Sequence, residues 1–206
     1  MKVLLVNGSP HAKGCTWTAL SEVAAELEKQ GIGSQIFQLG TQPVAGCIAC
    51  GSCRKTGRCF REDKVNEALA LVPDFDGFVF GSPVYYASAS GQLESFLDRL
   101  FFAGSSLFAN KPGAAVVSCR RGGASAAFEQ INKYFGMNNM PVVTSCYWNQ
   151  VHGNTPDEVR QDAEGLLTMR QLARNMAWML RCFEAGKAAG IPMPATEPVI
   201  RTNFIR

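Results

Sequence analysis

Short apolar runs alternate along this chain with segments of helical periodicity, and this alternation constrains the fold more than any other feature of the sequence. In the first helical segment, Leu20, Val23, Ala24 and Leu27 recur at positions i, i+3, i+4 and i+7, which lie on one face of a helix. Five strand–helix alternations in one chain predict a parallel sheet covered by helices on both faces, which is an α/β fold. The predicted strands are 2–6, 34–39, 77–83, 113–119 and 141–148.

The last predicted helix has the clearest start signal. Thr155 can be its N-cap, Pro156 its first helical residue and Glu158 the partner in a capping box. We expect residues 1–185 to form a single domain that ends with this helix, and the proline-rich residues 186–206 to form an extended C-terminal extension. The earlier helices are predicted from about residue 16 to residue 31, at 63–72, through 93–101 and at 124–135.

The charge balance and the lengths of the apolar runs exclude two classes of protein. Twenty Lys and Arg against 17 Asp and Glu give a formal net charge of +3, which does not indicate a nucleic-acid-binding protein. No stretch approaches the roughly 18 continuous apolar residues of a spanning helix, so no membrane association is expected. The opening run MKVLLVNGSP is too short in apolar residues for a signal peptide. A cytoplasmic location is therefore expected, where disulfides are disfavoured.

The loop after the first predicted strand, residues 7–16, reads NGSPHAKGCT and is suited to a phosphate. It supplies the hydroxyls of Ser9 and Thr16 and the N-terminus of a helix, where backbone N–H groups and the helix dipole favour an anion. His11 and Lys13 add positive charge. The loop has neither the Walker A pattern nor the G-x-G-x-x-G pattern of dinucleotide sites. Taken alone, it is also compatible with a solvated turn that binds nothing.

Two further loops are expected at the same edge, because ligands of open parallel sheets bind beyond the carboxyl ends of the strands. Residues 81–100 place Val84, Tyr85 and Tyr86 after a stiff proline corner, which suits a planar aromatic ligand. The same side chains are compatible with a cover for the sheet edge or with a subunit contact. Residues 118–125, SCRRGGAS, combine two arginines with two glycines that permit close approach of the backbone to a ligand.

Together these three loops resemble those of the NADPH-dependent FMN reductase and iron–sulfur flavoprotein branch of the flavodoxin-like superfamily, over residues 1 to about 185. The resemblance implies a flavodoxin-like, doubly wound sheet of five parallel strands in the order 2-1-3-4-5, with FMN bound by the three loops. The family commonly has Arg at the position of His11 and Asn at that of Cys15, so weaker or more pH-dependent phosphate binding is expected here. The implied phosphate-side residues are Ser9, His11, Cys15 and Thr16, and the implied ring-side residues are Pro83, Val84, Tyr85, Tyr86, Ala87 and Ser88, with Arg121, Gly122 and Gly123 opposite.

Half of the eight cysteines fall in the run CIACGSCRKTGRCF, at Cys47, Cys50, Cys53 and Cys59. Four thiolates in one short, glycine-containing loop can hold an iron–sulfur cluster. The same residues are compatible with a zinc site or with free, reactive thiols. The resemblance adds that iron–sulfur members of the family carry a compact motif of four cysteines at this position, which implies a [4Fe–4S] cluster bound by these residues.

Several other polar residues are predicted to have ordinary structural roles. Asp98 and Arg99 are expected on a solvated helix face. For His152 the resemblance implies a position near the flavin or a subunit interface, and the alternative is a satisfied loop histidine. The cysteines outside the first loop and the cysteine run are expected to be small buried side chains: Cys119, Cys146 and Cys182.

The resemblance implies an FMN-dependent oxidoreductase that takes a hydride from NAD(P)H and passes electrons to a quinone, a flavin or another acceptor. The protein's part in such chemistry is orientation and tuning of the cofactor, so no catalytic side chain is predicted. The alternative is an iron–sulfur flavoprotein that carries electrons received from ferredoxin. A homodimer or homotetramer is also expected, because the proline-rich extension could reach a neighbouring subunit.

Overall fold

The computed structural model describes residues 1–195 together with residues 197, 200, 202 and 204, and it has the predicted α/β architecture. The strands are β1 (Lys2–Asn7), β2 (Gly33–Gln38), β3 (Gly77–Tyr85), β4 (Ser88–Ala89), β5 (Gly113–Cys119) and β6 (Gln150–His152). The helices are α1 (Cys15–Lys29), α2 (Cys53–Thr56), α3 (Lys64–Leu71), α4 (Gly91–Phe108), α5 (Ala124–Met137), α6 (Pro156–Gln161) and α7 (Ala163–Ala188), with a 3-10 turn at Val72–Asp74. In this described part of the chain, no helix is both long enough and apolar enough to cross a membrane.

The parallel strands pair in the order β2-β1-β3-β5-β6. This confirms the predicted order 2-1-3-4-5, because the two-residue strand β4 only pairs antiparallel with the end of β3. The register places Asn7 beside Gly81 and Cys119 beside His152. The carboxyl ends of the strands therefore meet at one edge of the sheet, which is where the three loops were predicted.

Two hydrophobic cores cover the two faces of the sheet, because successive side chains of a strand point to opposite faces. On β1, Val3 and Leu5 belong to the core formed with α1 and α7, whereas Leu4 and Val6 belong to the core formed with α3, α4 and α5. The second core is rich in phenylalanine, and burial of each such ring stabilises the fold by about 1.5–3 kcal/mol. Helix α4, which connects the two candidate sites described below, is fixed to the sheet by this core.

The last strand differs from the prediction over residues 141–148. The chain meets β5 near Val143, whose N–H donates to the Gly113 carbonyl at 2.8 Å, and then leaves the sheet until β6 begins. The excursion exposes Tyr147 and Trp148. An edge strand is paired on one side only, so local turn hydrogen bonds can interrupt it. The β-branched and aromatic residues of 141–148 favour a strand by composition, and for that reason the interruption was not predicted.

The predicted final helix is in fact two helices. The hydroxyl of Thr155 accepts a hydrogen bond from the Glu158 N–H at 3.2 Å, as expected of the cap of α6. Asp162 then ends α6 and caps α7, since its carboxylate accepts from the Gly165 N–H at 2.9 Å. Helix α7 continues three residues beyond the predicted end at 185. Residues 189–195 have neither helix nor strand, and the rest of the predicted extension includes residues outside those described.

Candidate functional site

The first loop is held in place by two amide side chains at the ends of β1 and β2, the buried Asn7 and the half-buried Gln38. The Asn7 side chain donates to Gln38 Oε1 at 2.6 Å and accepts from the Ser9 N–H at 3.1 Å. Gln38 in turn donates to the Ser9 carbonyl at 2.7 Å, and the hydroxyl of Ser9 accepts from the His11 N–H at 3.2 Å. These contacts lie within the chain itself, so Asn7 and Gln38 position the loop, although neither was predicted from the sequence as a site residue.

The helices that follow the first and third loops begin without a side-chain cap. Gly14 precedes α1 and Gly123 precedes α5, and neither has a side chain that could accept from the first N–H groups. By contrast, α3, α4 and α7 are capped by Asp63, Ser90 and Asp162. Uncapped N–H groups at the positive end of a helix bind anions well. The carboxyl edge of the sheet therefore presents two open helix N-termini.

The predicted phosphate-side residues differ in what they can offer to a ligand. The hydroxyl of Thr16 is buried and hydrogen-bonded to that of Ser118 at 2.8 Å, so it ties α1 to β5 and leaves the backbone N–H as its free donor. His11 is exposed, and Cys15 is half-buried with its thiol 3.7 Å from the Gly153 carbonyl. Burial raises the pKa of the Cys15 thiol, so it stays uncharged beside an anion at neutral pH.

The second loop is a tight β-hairpin, which the sequence did not predict. Tyr85 pairs with Ser88, and the two residues between them, Tyr86 and Ala87, have φ angles of +51° and +61°. Two left-handed residues form a type I′ turn, which normally uses Asn-Gly. Left-handed backbone costs about 1–2 kcal/mol for each residue other than glycine. Such strain is typical of functional sites, and here it places the Tyr86 side chain fully in solvent.

The structure brings the three predicted loops into contact. The Gly8 N–H donates to the Gly81 carbonyl at 2.8 Å, and the Ser90 hydroxyl donates to the Gly8 carbonyl at 2.9 Å. Gly123 has φ +90°, and a Cβ added there would lie 2.6 Å from the Ala87 Cα. The third loop thus closes against the hairpin at a point where only glycine fits. Arg120 and Arg121 stay exposed beside this closure, and Gly122 borders open space.

A fourth segment, after β6, lies at the same edge. His152 Nδ1 is 3.4 Å from the Cys119 sulfur, and the Gly153 N–H donates to the Cys119 carbonyl at 3.2 Å. His152 therefore lies next to the third loop and has a hydrogen-bonding partner there, as expected of a satisfied loop histidine. Cys119 is buried as predicted, whereas Cys146 and Cys182 are exposed, which corrects that prediction.

The cysteine loop forms a second candidate site beside α4. Cys47, Cys50, Cys53 and Cys59 border one small cavity; all are free thiols, the first two exposed and the last two half-buried. Among the described residues, no group of three or more Cys, His, Asp or Glu side chains has the geometry to hold a metal ion. The donor chemistry itself fits an iron–sulfur cluster, since four thiolates are the usual ligand set. Hydrogen bonds from the Ser52 N–H and hydroxyl lower the pKa of the Cys50 thiol.

Arg99 was predicted on a solvated helix face, and this prediction is wrong. Its side chain is only 2% exposed and lines the cysteine site. Its guanidinium pairs with the Asp63 carboxylate at 2.6 Å and donates to the Cys59 sulfur. Burial disfavours the charged form, but the hydrogen bonds to Asp63 and Cys59 outweigh that cost and hold the pKa of Arg99 above its ordinary value. The neighbouring Asp98 is exposed, as predicted, and accepts from the Tyr134 hydroxyl at 2.5 Å.

Comparison with known proteins identifies a family and individual proteins that are similar to this chain. Residues 1–155 match the profile of the family described as NADPH-dependent FMN reductase. An iron–sulfur flavoprotein of Methanocaldococcus jannaschii is 32% identical over 193 residues, which cover 89% of this chain and 100% of that protein. An iron–sulfur flavoprotein of Archaeoglobus fulgidus is 28% identical over 193 residues, covering 87% and 97% of the two chains.

Solved structures support the fold. A flavodoxin, WrbA-like protein from Agrobacterium tumefaciens superposes with a TM-score of 0.60 at 16% identity, over 88% of this chain and 96% of that one. At this identity the similarity concerns the fold alone, and it confirms the flavodoxin-like sheet.

Proposed function

Because the chain belongs to the NADPH-dependent FMN reductase family, we propose that it is a flavoprotein oxidoreductase with two redox sites, FMN at the three loops and a [4Fe–4S] cluster at the cysteine loop. The observation that carries the proposal is that four free thiols of one loop border a single cavity beside α4. The N-terminus of the same helix is bonded to the first loop through Ser90. The names of the similar archaeal proteins support the second cofactor.

The residues around the first site fit the parts of FMN. The open N-terminus of α1 and the braced Ser9 turn would hold the phosphate, and the half-buried Cys15 thiol would add no negative charge there. The hairpin and Gly123 would enclose the ring from two sides. Bound FMN supplies the exchange of one or two electrons, and the chain supplies binding, orientation and electrostatics.

The surface around the cysteine loop supports an acidic electron carrier as partner. Arg54 and Lys55 are exposed there, and Arg58 is exposed but paired with Glu62 at 2.6 Å. The Arg54 guanidinium lies over the ring of Phe102, and Phe60 and Phe102 are each half exposed. Basic side chains around an apolar centre attract an acidic partner and steer its approach. This favours the alternative function named above, in which a ferredoxin-like protein delivers electrons through the cluster.

A second candidate donor is NAD(P)H, which the family description supports. Rapid anaerobic mixing with NADPH, and separately with a reduced acidic ferredoxin, would distinguish the two. Reduction of the flavin by ferredoxin that slows as salt is raised is the expected result, because salt screens the exposed basic residues. Fast reduction by NADPH with no dependence on the cysteine loop would instead favour the NAD(P)H-dependent activity.

The cofactors are tested on anaerobically purified protein. We expect about four irons per chain, broad absorption near ~400 nm under the flavin bands, and FMN in the supernatant after boiling. Cys50→Ala should remove the iron and leave FMN bound, because the flavin loops lie elsewhere in the chain. Cys146→Ala, which changes an exposed cysteine outside the loop, is the control and should keep both cofactors. Iron-free wild-type protein, zinc in place of iron, or FAD in the supernatant would each contradict the proposal.

A further inference from the structure

The guanidinium of Arg99 makes more contacts with the cysteine site than an ion pair requires. Nη1 and Nη2 donate to the two carboxylate oxygens of Asp63 at 2.6 and 3.0 Å. Nε and Nη2 both donate to the Cys59 sulfur, at 3.3 and 3.2 Å, and Nη1 also donates to the Ala45 carbonyl at 3.2 Å. A single buried side chain thus connects α4 to both ends of the segment that contains the cysteines.

The backbone of Cys59 is held as firmly as its sulfur. The buried Asn66 side chain accepts from the Cys59 N–H at 2.9 Å and donates to the Cys59 carbonyl at 2.8 Å. Cys47 and Cys50, in contrast, are exposed. Cys59 is therefore held at both its backbone and its sulfur by contacts within the chain itself.

Two N–H donors of a permanent cation on one sulfur are suited to a thiolate acceptor. A neutral thiol is only a weak acceptor, whereas hydrogen bonds between two charged groups are shorter and stronger. The contact is also shielded, because Arg99 is 2% exposed. Salt in solution screens a buried pair of charges much less than an exposed one.

We propose that Arg99 is a positioning residue for the cluster site: it orients the Cys59 thiolate as a ligand and keeps a positive charge beside the bound cluster. This inference rests on the function proposed above. The guanidinium of the Arg99–Asp63 pair is the member that contacts the Cys59 sulfur, so it stabilises the more negative, reduced form of the cluster. Hydrogen bonds to ligand sulfurs and net charge are established determinants of cluster potential.

The test compares Arg99→Met with Arg54→Met, each prepared anaerobically as full-length protein. Arg54 is a matched control because it is an arginine beside the same cysteines, but it is exposed and lies over the Phe102 ring instead of contacting a sulfur. The readouts are iron per chain, the rate of iron release to a chelator, the midpoint potential of the cluster, and the unfolding free energy of cluster-free protein.

We expect Arg99→Met to release iron about tenfold faster and to lower the cluster potential. If loss of the guanidinium shifts the one-electron reduction equilibrium of the cluster tenfold, its potential falls by about 59 mV. Arg99→Lys keeps the positive charge but loses the pair of N–H groups that both donate to the Cys59 sulfur. It should therefore retain most of the cluster potential and still release iron faster than the wild type. Arg54→Met should match the wild type in both measurements.

Each other outcome has a defined meaning. A wild-type chain that takes up no iron defeats the proposed cluster and this inference with it. Wild-type protein that holds iron while Arg99→Met has the same potential and release rate defeats the inference alone. A change only in unfolding free energy would show that Arg99 is merely structural, and it too overturns the inference. If Arg99→Met does not fold, as judged by FMN content, a wild-type release rate in Arg99→Lys overturns it.

Discussion

The substitution Gly123→Ala tests whether the closure between the second and third loops forms the flavin site. Gly123 has φ +90°, a conformation that residues with a Cβ rarely adopt. The new Cβ would lie 2.6 Å from the Ala87 Cα, 2.9 Å from the Ala87 Cβ and 3.2 Å from a methyl group of Val84. Since the first two contacts are far inside van der Waals distance, either Gly123 or the hairpin must move.

The magnitude follows from two costs. Left-handed backbone costs alanine about 1–2 kcal/mol relative to glycine, and an inserted methyl group in a packed contact costs about 1–3 kcal/mol. We therefore expect the free energy of unfolding to fall by about 2–5 kcal/mol. If the hairpin moves away to relieve the overlap, the ring loses its enclosure and the Kd for FMN should rise at least about tenfold, which is 1.4 kcal/mol.

The assay is a titration of FMN-free protein with FMN, followed by flavin fluorescence, together with urea unfolding. Gly122→Ala is the matched control, because a Cβ at Gly122 meets nothing within 4 Å and its φ is not in the left-handed region. It should leave the unfolding free energy nearly unchanged. An unaltered Kd in Gly123→Ala, with a loss of stability as large as predicted, would show that FMN is not enclosed at this closure.

Two further substitutions, one of them with a control, test stability. The buried carboxylate of Glu26 accepts from Arg174 Nε at 2.7 Å, so Glu26→Gln should lower the unfolding free energy measured by urea titration at pH 7 by about 2 kcal/mol. The control is Glu22→Gln, in the half-exposed pair with Arg170, which should cost below about 1 kcal/mol. The hydrogen bond from Arg174 lowers the pKa of Glu26 in the folded protein. The stability that the ionised Glu26 contributes is therefore present above the pKa of the unfolded carboxyl, about 4.3, and is lost as pH falls through the lower folded pKa. If Glu26→Gln lowers the unfolding free energy as much at pH 3 as at pH 7, this reasoning is contradicted. Ala87→Gly should raise the unfolding free energy by about 1 kcal/mol, because it relieves a left-handed alanine, and a lower Tm would show that the turn is not strained.

The parts of the fold predictable from sequence are those set by local periodicity. Strands β1, β2, β3 and β5 and helices α1, α3, α4 and α5 are recovered because buried runs and amphipathic stripes depend on residues close in the chain. The short elements β4 and α2 were not predicted. The interrupted last strand and the break at Asp162 were missed for a different reason. Asp162 ends one helix and caps the next, and its other oxygen accepts from the His152 N–H at 2.6 Å, a contact that periodicity does not encode.

The candidate sites show the same division. The loops were found because their glycines, hydroxyls and cysteines have chemistry that is readable from sequence alone. Arg99 was misplaced because its neighbours Asp98 and Glu94 are polar and its partners, Asp63 and Cys59, lie 36 and 40 residues away. The amides that brace the first loop were missed because Asn7 and Gln38 meet only through the pairing of β1 with β2.

Helix α4 determines how the two sites are related in space. At its N-terminus, Ser90 caps the helix and donates to the Gly8 carbonyl of the first loop. Nine residues later Arg99 contacts Cys59, and a rise of 1.5 Å per residue separates these two anchor points by about 14 Å along the axis. The phenylalanine-rich core fixes the helix between them to the sheet. Substitutions so far apart usually have additive effects on stability, so changes at the two anchors should add in the free energy of unfolding. The spacing of the two proposed cofactors is thus a property of one packed helix and not of the loops that would bind them.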